Sequence, residues 1–265
     1  MTRDIENLMI YRKSLHLTCL LLSISFLLSA EQAVLQEQNA GEGKKFILEN
    51  RFLRAVFSAQ NGGKCNELFF KPAKKHLVDR DQGWLLGSRI WNYADDDLYF
   101  QWQKGAWESE VQRAQGEVAL VLRSKGKVGF TRSTTFEKRI ALRDGESMLH
   151  VTHSFHVGQE LMVPQKIGLW FSHRCGATGE PNRYYFPLDD GIVSLDPATG
   201  PNQVFFYNPS RGWAGFVGKS RTGLCFNMEF RRLMCFYQWS GTPPTFEWAF
   251  RSADIKNGDS LRTEE

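Results

Sequence analysis

The sequence has no cluster of basic residues and no closely spaced pair of cysteines. Its net charge is only +4 over 265 residues, so we do not expect nucleic acid as a partner. None of its five cysteines is spaced closely enough to another for a zinc site. The sequence also lacks internal repeats, low-complexity segments and any convincing amphipathic helix. Hydrophobic residues make up 42% of the chain, a composition typical of one large globular domain.

Residues 1–30 predict a signal peptide. Arg12 and Lys13 precede a mostly apolar stretch that runs from Leu15 to Ala30. This stretch is shorter than the roughly 20 residues of a membrane span, and its length suits the core of a signal peptide. The mature chain is therefore expected to be exported, to the periplasm or the extracellular space. An uncleaved membrane anchor stays an alternative, because Leu28 is not the small residue that cleavage sites prefer.

The rest of the chain divides into a linker over residues 31–44 and one domain over residues 45–265. The linker, EQAVLQEQNAGEGK, is mostly polar. From residue 45 onward, short apolar segments alternate with turn signals such as Asn61-Gly62-Gly63. Many strands with half-buried alternation and no helix predict an all-β fold, in the form of a large antiparallel two-sheet β-sandwich.

The stretch from Ser147 to Cys175 has the clearest strand pattern. Its first half alternates apolar and polar residues, with Phe155 in the apolar row and His156 in the polar row. In its second half, Ile167, Leu169 and Phe171 form an apolar row, and His173 is the last residue of that row. We predict that the two halves form one long hairpin, and that His153 is a hydrogen-bonded core residue.

The sequence gives only weak indications of disulfide bonds or of a metal site. Four cysteines remain after residue 30, at positions 65, 175, 225 and 235. An even count in an exported protein permits two disulfides, whereas the apolar context of all four is typical of buried free thiols. Asp95-Asp96-Asp97 lack the alternating spacing of a calcium loop, which favours a solvated turn. We expect no metal and no other cofactor.

Two segments resemble the galactose mutarotase-like superfamily. The opening LENRFLRAVFSAQNGGKCNELFFK is similar to the first hairpin of that superfamily, in which a Gly-Gly turn joins two strands. The C-terminal FEWAFRSADIKNGDSLRTE is similar to its end, where a strand with a glutamate precedes a turn. The order of the segments between them also fits, and the resemblance covers residues 45–265. It implies an antiparallel supersandwich that holds a carbohydrate in a groove on its concave sheet.

The resemblance also implies roles for individual residues. In the aldose-epimerase members, a glutamate is the general base on the anomeric hydroxyl and a histidine protonates the ring oxygen. The matching residues are Glu247 in TFEWAF and His173 in FSHRC, and Arg89 in LLGSRIW matches an early arginine. The early histidine of the superfamily has no match, because His76 lies in a different context. This favours sugar binding without turnover over epimerisation.

Tryptophans in loop-like context are the candidates for stacking on the sugar. An aromatic ring offers a flat apolar face with a polar edge, and Trp84, Trp91 and Trp107 lie in such context. Three hypotheses follow: an exported carbohydrate-binding domain, an active sugar epimerase or mutarotase, and an accessory structural sandwich without a ligand. The first two, as stated, require His173 and Glu247 to face one cleft.

Signal processing should remove about residues 1–30. We expect N-terminal sequencing of the exported protein to begin close to Glu31, because the apolar stretch ends at Ala30. Exported protein that still begins at Met1 or Met9 would contradict this prediction.

Overall fold

The computed structural model describes residues 32–41, 43–78, 81–91, 102–127, 129–159, 165–240 and 244–265. Within these ranges the chain forms twenty β-strands and two short 3-10 helices, Gly129–Ser133 and Phe230–Arg232, which confirms the all-β prediction. No helix in them has the length and apolar character needed to cross a membrane. The strands are β1 (Val34–Ala40), β2 (Gly43–Glu49), β3 (Leu53–Ser58), β4 (Lys64–Phe70), β5 (Lys75–His76), β6 (Trp84–Trp91), β7 (Glu108–Ala114), β8 (Glu117–Lys125), β9 (Thr134–Arg143), β10 (Leu149–Val157), β11 (Gln165–Arg174), β12 (Asn182–Leu188), β13 (Gly191–Leu195), β14 (Gln203–Phe206), β15 (Trp213–Gly218), β16 (Gly223–Asn227), β17 (Leu233–Trp239), β18 (Thr245–Phe250), β19 (Ala253–Ile255) and β20 (Ser260–Glu264).

These strands form three antiparallel sheets in the described part of the chain. The large sheet has the order β1-β2-β3-β4-β6-β11-β18-β17-β14, with β5 beside β4 and β19 beside β11. The middle sheet has the order β20-β10-β9-β8-β7, and the small sheet has the order β13-β12-β15-β16. Strands β11 and β18 therefore lie near the centre of the large sheet, with neighbours on both sides.

The inner face of the large sheet packs against both smaller sheets. Phe171 on β11 contacts His153 on β10 of the middle sheet, with ring centroids 4.1 Å apart. Phe246 on β18 contacts Tyr184 on β12 of the small sheet, with ring centroids 5.8 Å apart. All four side chains are buried, and they belong to or adjoin one continuous apolar core. The architecture is the antiparallel β-sandwich that the sequence predicts, with a third sheet added.

The predicted central hairpin is wrong. β10 pairs with β9 and β20 in the middle sheet, whereas β11 pairs with β6, β18 and β19 in the large sheet. Both strands carry an apolar row, and these rows face each other across the core. Two strands that pack face to face bury both rows, whereas a hairpin would place the rows side by side on one sheet. Alternation within each strand is the same in both arrangements and could not distinguish them.

Residues 34–40 form a strand, where the sequence indicated part of a linker. This strand, β1, pairs with β2 along its whole length. Leu35 is buried, whereas residues 36–39 are exposed. An edge strand needs only backbone pairing on one side and few apolar contacts, so its composition can stay polar. The folded domain therefore begins before residue 45.

All four cysteines in the described residues are free thiols. Cys65, Cys175 and Cys235 are buried, and Cys225 is exposed. Burial raises the pKa of Cys65 to about 12 and that of Cys235 to about 11, so both thiols stay protonated and unreactive at neutral pH. The buried cysteines serve as small apolar residues of the core.

Strand β10 has the two faces that its sequence predicts. Val151, His153, Phe155 and Val157 are buried. His156 is exposed on the other face, where its Nδ1 lies 2.8 Å from the hydroxyl oxygen of Ser260. The alternation of apolar and polar residues was therefore a reliable guide to the orientation of this strand.

Phe155→Ala should lower the free energy of unfolding by about 3–5 kcal/mol, because the ring is fully buried and its removal leaves a cavity. The ring lies edge-on to that of Trp102, with centroids 5.6 Å apart. His156→Ala, one residue further and exposed, should cost less than about 1 kcal/mol. Urea denaturation measures both losses, and equal losses would mean that the two faces of β10 are reversed.

Candidate functional site

His173, the residue expected to act as the acid, is fully buried between the sheets. Its ring stacks on that of Trp248, with centroids 4.3 Å apart. Its Nδ1 accepts a hydrogen bond of 3.3 Å from the backbone N–H of Leu86, and its Nε2 lies 3.8 Å from Oε2 of Glu265. A sugar bound at the surface cannot reach either nitrogen.

His173 belongs to a buried polar cluster with Lys138, His153 and Glu265. Nε2 of His153 lies 2.7 Å from Oε1 of Glu265. The ammonium of Lys138 donates hydrogen bonds to three backbone carbonyls, those of Gly62 (2.9 Å), Gly63 (3.3 Å) and Leu86 (2.6 Å). Lys138 thus connects β9 of the middle sheet to the turn between β3 and β4 and to β6 of the large sheet. The role of this cluster is to hold the sheets together.

Burial controls the protonation of the bases in this cluster. It lowers the pKa of His173 to about 4, although the nearby Glu265 carboxylate opposes the shift. Burial also lowers the pKa of His153, and it lowers the pKa of Lys138 well below its usual range. Both histidines are therefore neutral at neutral pH. This state suits a packed interior, and His173 is not available as the acid of an epimerase.

Glu247, the residue expected to act as the base, points away from the core on the other face of the large sheet. In the pairing of β11 with β18, Glu247 lies opposite Ser172, and His173 lies opposite Phe246. Residues opposite each other share a face, and neighbours along one strand point to opposite faces. The predicted pair of acid and base is therefore wrong, because no single sugar can contact both His173 and Glu247.

Glu247 anchors a polar group on the outer face, which we define as the face of the large sheet that carries Arg89, Trp170, Glu247 and Tyr237. Its Oε2 accepts hydrogen bonds from the guanidinium of Arg89 and, at 2.6 Å, from Nε1 of Trp170. Its Oε1 accepts a hydrogen bond of 2.6 Å from the hydroxyl of Thr245. Only 5% of the Glu247 side chain is exposed. Glu247 therefore affects a ligand mainly through the side chains that it orients.

Aromatic side chains surround this ion pair, and we call Trp170, Phe205, Tyr207 and Tyr237 the aromatic wall. The ring of Trp170 lies edge-on to that of Tyr237, with centroids 5.9 Å apart, and Cζ of Arg89 lies 5.3 Å from the centroid of Trp170. Phe205 and Tyr207 stack with centroids 5.6 Å apart, and they are 43% and 67% exposed. Exposed rings next to a buried ion pair are typical of a binding surface.

The three tryptophans predicted to stack on a sugar lie in different environments. Trp84 is half-buried at the start of β6, and Cζ of Arg174 lies 4.5 Å from its ring centroid. Trp91 is buried at the end of the same strand, and its Nε1 donates a hydrogen bond of 3.1 Å to the carbonyl of Phe250. Trp107 is buried in the core. The prediction for Trp107 is wrong because its ring fills the interior. Trp84 stays a candidate, and Trp91 lies on the outer face with Arg89 but is buried over Gly168.

Sequence reasoning missed Trp170, Phe205 and Tyr237. One signal was present, since Trp170 and Ser172 alternate with the apolar row of β11 and so had to face away from it. Tyr237 lies opposite Glu247, and Phe205 lies opposite Tyr237, only because β14, β17 and β18 are neighbours in the large sheet. No local pattern in the sequence shows which strands will be neighbours.

The expectation for Asp95-Asp96-Asp97 concerns residues outside the described part of the chain, so the solvated turn stays a prediction. Within the described ranges, no group of three or more His, Cys, Asp or Glu side chains is arranged to hold a metal ion. The candidate site is therefore built from the polar and aromatic side chains of the outer face.

Comparison with known proteins gives matches only among solved structures, because no family model and no curated protein matches the chain. A galactose mutarotase-like protein from Clostridium acetobutylicum is 11% identical with a TM-score of 0.65, and the match covers 88% of this chain and 97% of that one. A galactose mutarotase-like protein from Lactobacillus casei is 11% identical with a TM-score of 0.60, and the match covers 83% and 98% of the two chains.

A TPR-domain containing protein from Parabacteroides distasonis is 10% identical with a TM-score of 0.62. The match covers 89% of this chain and 53% of that one, so the chain spans about half the length of that relative. The first two similarities show that the chain has the galactose mutarotase-like fold, as the resemblance in sequence implies. At 11% identity these similarities show the fold only. The activity has to be inferred from the residues of the site.

The free energy of unfolding should fall as the pH drops from about 6.5 to about 4. The pKa of His173 is lower in the folded state than its ordinary value of 6.5, so the unfolded state binds more protons in this window. The stabilisation is complete above this window and is lost as the pH falls through it. His173→Asn keeps an acceptor for the Leu86 N–H and removes the titration. It should flatten the slope by up to about 1.4 kcal/mol per pH unit.

Urea denaturation at a series of pH values measures this slope. His156→Asn is the matched control, because it makes the same replacement at an exposed histidine. If His173→Asn has the same slope as the unmodified protein, then His173 does not titrate in the core and the assignment of a buried neutral imidazole is wrong.

Proposed function

We propose that the chain is an exported carbohydrate-binding domain that holds a sugar against the outer face of the large sheet. The observation that carries this proposal is the position of the aromatic wall beside the Arg89–Glu247 ion pair. Export rests on the N-terminal segment of residues 1–30.

A sugar ring suits this surface because it has an apolar face of C–H groups and a rim of hydroxyl groups. Phe205 and Tyr207 offer exposed apolar rings, and the orientation of Trp170 is held by its hydrogen bond to Glu247. The phenol of Tyr237 can donate to or accept from a sugar hydroxyl. The galactose mutarotase-like proteins that share this fold are a further reason to test sugars first.

Binding without turnover is favoured over epimerisation. Ring opening needs an acid and a base that each reach the same sugar. His173 is enclosed in the core, and both oxygens of Glu247 already accept hydrogen bonds from protein groups. The outer face therefore offers contacts for a sugar and lacks the pair of residues expected for the reaction.

An epimerase is the second candidate, because Tyr237 lies opposite Glu247 on adjacent strands. Burial and the Glu247 carboxylate raise the pKa of Tyr237, so its phenol keeps its proton at neutral pH. A protonated phenol can donate a proton to a sugar oxygen while a carboxylate accepts one. Polarimetry on free aldoses tests this reaction, and anomer exchange that both Glu247→Gln and Tyr237→Phe abolish would support the second candidate.

Phe205→Ala should weaken sugar binding roughly tenfold, because it removes an exposed ring from the aromatic wall. A glycan array with neutral and acidic oligosaccharides selects the sugar, and isothermal titration calorimetry measures its affinity. The matched control is Phe230→Ala, which removes a phenylalanine of similar exposure outside the wall. This control should bind the sugar as tightly as the unmodified protein.

Two results would contradict the proposed function. A properly folded protein that binds no sugar on the array would favour an accessory structural domain. Equal losses of affinity in Phe205→Ala and Phe230→Ala would show that the aromatic wall is not the binding site.

A further inference from the structure

Two cations lie against one tryptophan ring at the edge of the candidate site. Nζ of Lys64 is 4.7 Å, and Cζ of Arg174 is 4.5 Å, from the centroid of Trp84. Cζ of Arg174 also lies 5.6 Å from the centroid of Trp239. With the exposed Lys104 nearby, these residues form what we call the cation cluster: Lys64, Lys104 and Arg174.

The cation cluster adjoins the aromatic wall. Trp239 follows Tyr237 by two residues on β17, so strand alternation places both rings on the outer face. Two residues along a strand span about 7 Å. A sugar bound on Tyr237 therefore lies within about one further sugar unit of Trp239 and of the Arg174 guanidinium that contacts it.

The cation cluster has no anionic partner in the described part of the chain. Arg89 forms an ion pair with Glu247, but none of the ion pairs among the described residues includes Lys64, Lys104 or Arg174. Nε of Arg174 is buried and has no hydrogen-bond partner there. Nε1 of the Trp84 indole is also buried and also has no hydrogen-bond partner in the described residues. Buried polar groups usually have a hydrogen-bond partner in folded proteins, so a ligand with acceptor oxygens at this position would satisfy both donors.

This arrangement is electrostatically unfavourable without an anion. Lys64 is only 8% exposed. Burial, followed by repulsion from Lys104, Arg174 and Arg89, lowers the pKa of Lys64 to about 8. Burial also lowers the pKa of Arg174, although Glu247 opposes this shift. An anion placed between Lys64 and Arg174 would compensate both charges.

A cleft of about 500 Å³ is lined by Arg174 but not by Lys64 or Trp84, so it gives room for further sugar units next to the guanidinium. Its walls are residues 174–182, Tyr184, Asp196–Ala198, Ser240 and Pro244. Two carboxylates line it, and both are already engaged. Glu180 accepts a hydrogen bond of 2.6 Å from the hydroxyl of Ser220, and Asp196 accepts one of 2.9 Å from the backbone N–H of Ala198. Glu180 forms its ion pair with Lys75, and neither carboxylate forms one with Arg174 in the described part of the chain.

We infer that the sugar bound at the outer face carries an anionic group, a carboxylate or a sulfate, which Arg174 and Lys64 bind beside Trp84. This inference rests on the proposed function and names the class of its ligand. The guanidinium of Arg174 can donate its Nε–H and a second N–H to two oxygens of the anion. Lys64 adds a compact positive charge, and the indole N–H of Trp84 adds a third donor.

The test compares matched hexose, hexuronate and sulfated hexose oligosaccharides by isothermal titration calorimetry. The unmodified protein should prefer the charged oligosaccharides, and its affinity for them should fall as salt is added. Lys64→Met removes the charge and keeps an alkyl chain over Trp84. It should weaken binding of the charged oligosaccharide about tenfold or more and leave that of the neutral one unchanged.

The matched control is Lys125→Met, which removes an exposed lysine from β8 of the middle sheet and should change neither affinity. Thermal unfolding gives a second measurement. Because Lys64 is a buried cation without an anion, Lys64→Met should unfold at the same temperature as the unmodified protein or higher. A variant that is less stable would show that Lys64 has a structural role, which contradicts the inference.

The outcomes separate this inference from the proposed function. If hexose and hexuronate oligosaccharides bind equally and Lys64→Met changes neither affinity, the inference is overturned and the proposed function stands. If none of the oligosaccharides binds to folded protein, the proposed function itself fails. A preference for hexuronate over sulfated hexose, or the reverse, identifies the anionic group.

Discussion

The pairing of β11 with β18 near the centre of the large sheet determines what each face of this protein can do. Strand alternation sends Phe171 and His173 to the inner face, and it sends Trp170 and Glu247 to the outer face. Two smaller sheets cover the inner face, so its side chains can only stabilise the fold. The outer face carries an ion pair with aromatic rings around it, and those rings can meet a ligand.

The two faces use charged groups in opposite ways. In the core, Lys138 has three carbonyl acceptors and Glu265 is hydrogen-bonded to His153, so the charged groups of the cluster have protein partners that connect the sheets. On the outer face, Lys64 and Arg174 form no ion pair within the described ranges, and Glu247, the carboxylate that acts on Arg174, is paired with Arg89. A buried group whose partners are all protein atoms contributes to structure, whereas a buried cation without a partner has an energetic cost that a ligand can remove. This difference is the reason why we infer an anionic ligand for the outer face.

The sequence predicted the fold class, the faces of β10 and the burial of His153, because each depends on a period of two within one strand. The resemblance to a superfamily also brought Arg89 and Glu247 into one site, and the structure places them in contact. The role expected for His173 was wrong for a simple reason. A histidine at the end of an apolar row points to the buried face of its strand, because strand geometry sets the direction of each side chain whatever its residue type.

The sequence by itself determined the all-β class, which residues of a strand such as β10 share a face, and the resemblance to the galactose mutarotase-like superfamily. These are local properties, since they depend on residues a few positions apart. Only the tertiary structure decided which strands are neighbours, that β10 and β11 face each other across the core, and that Tyr237 lies beside Glu247. Strand pairing joins segments far apart in sequence through backbone hydrogen bonds that are the same for every residue type, so the period of two within one strand does not show which other strands are its neighbours.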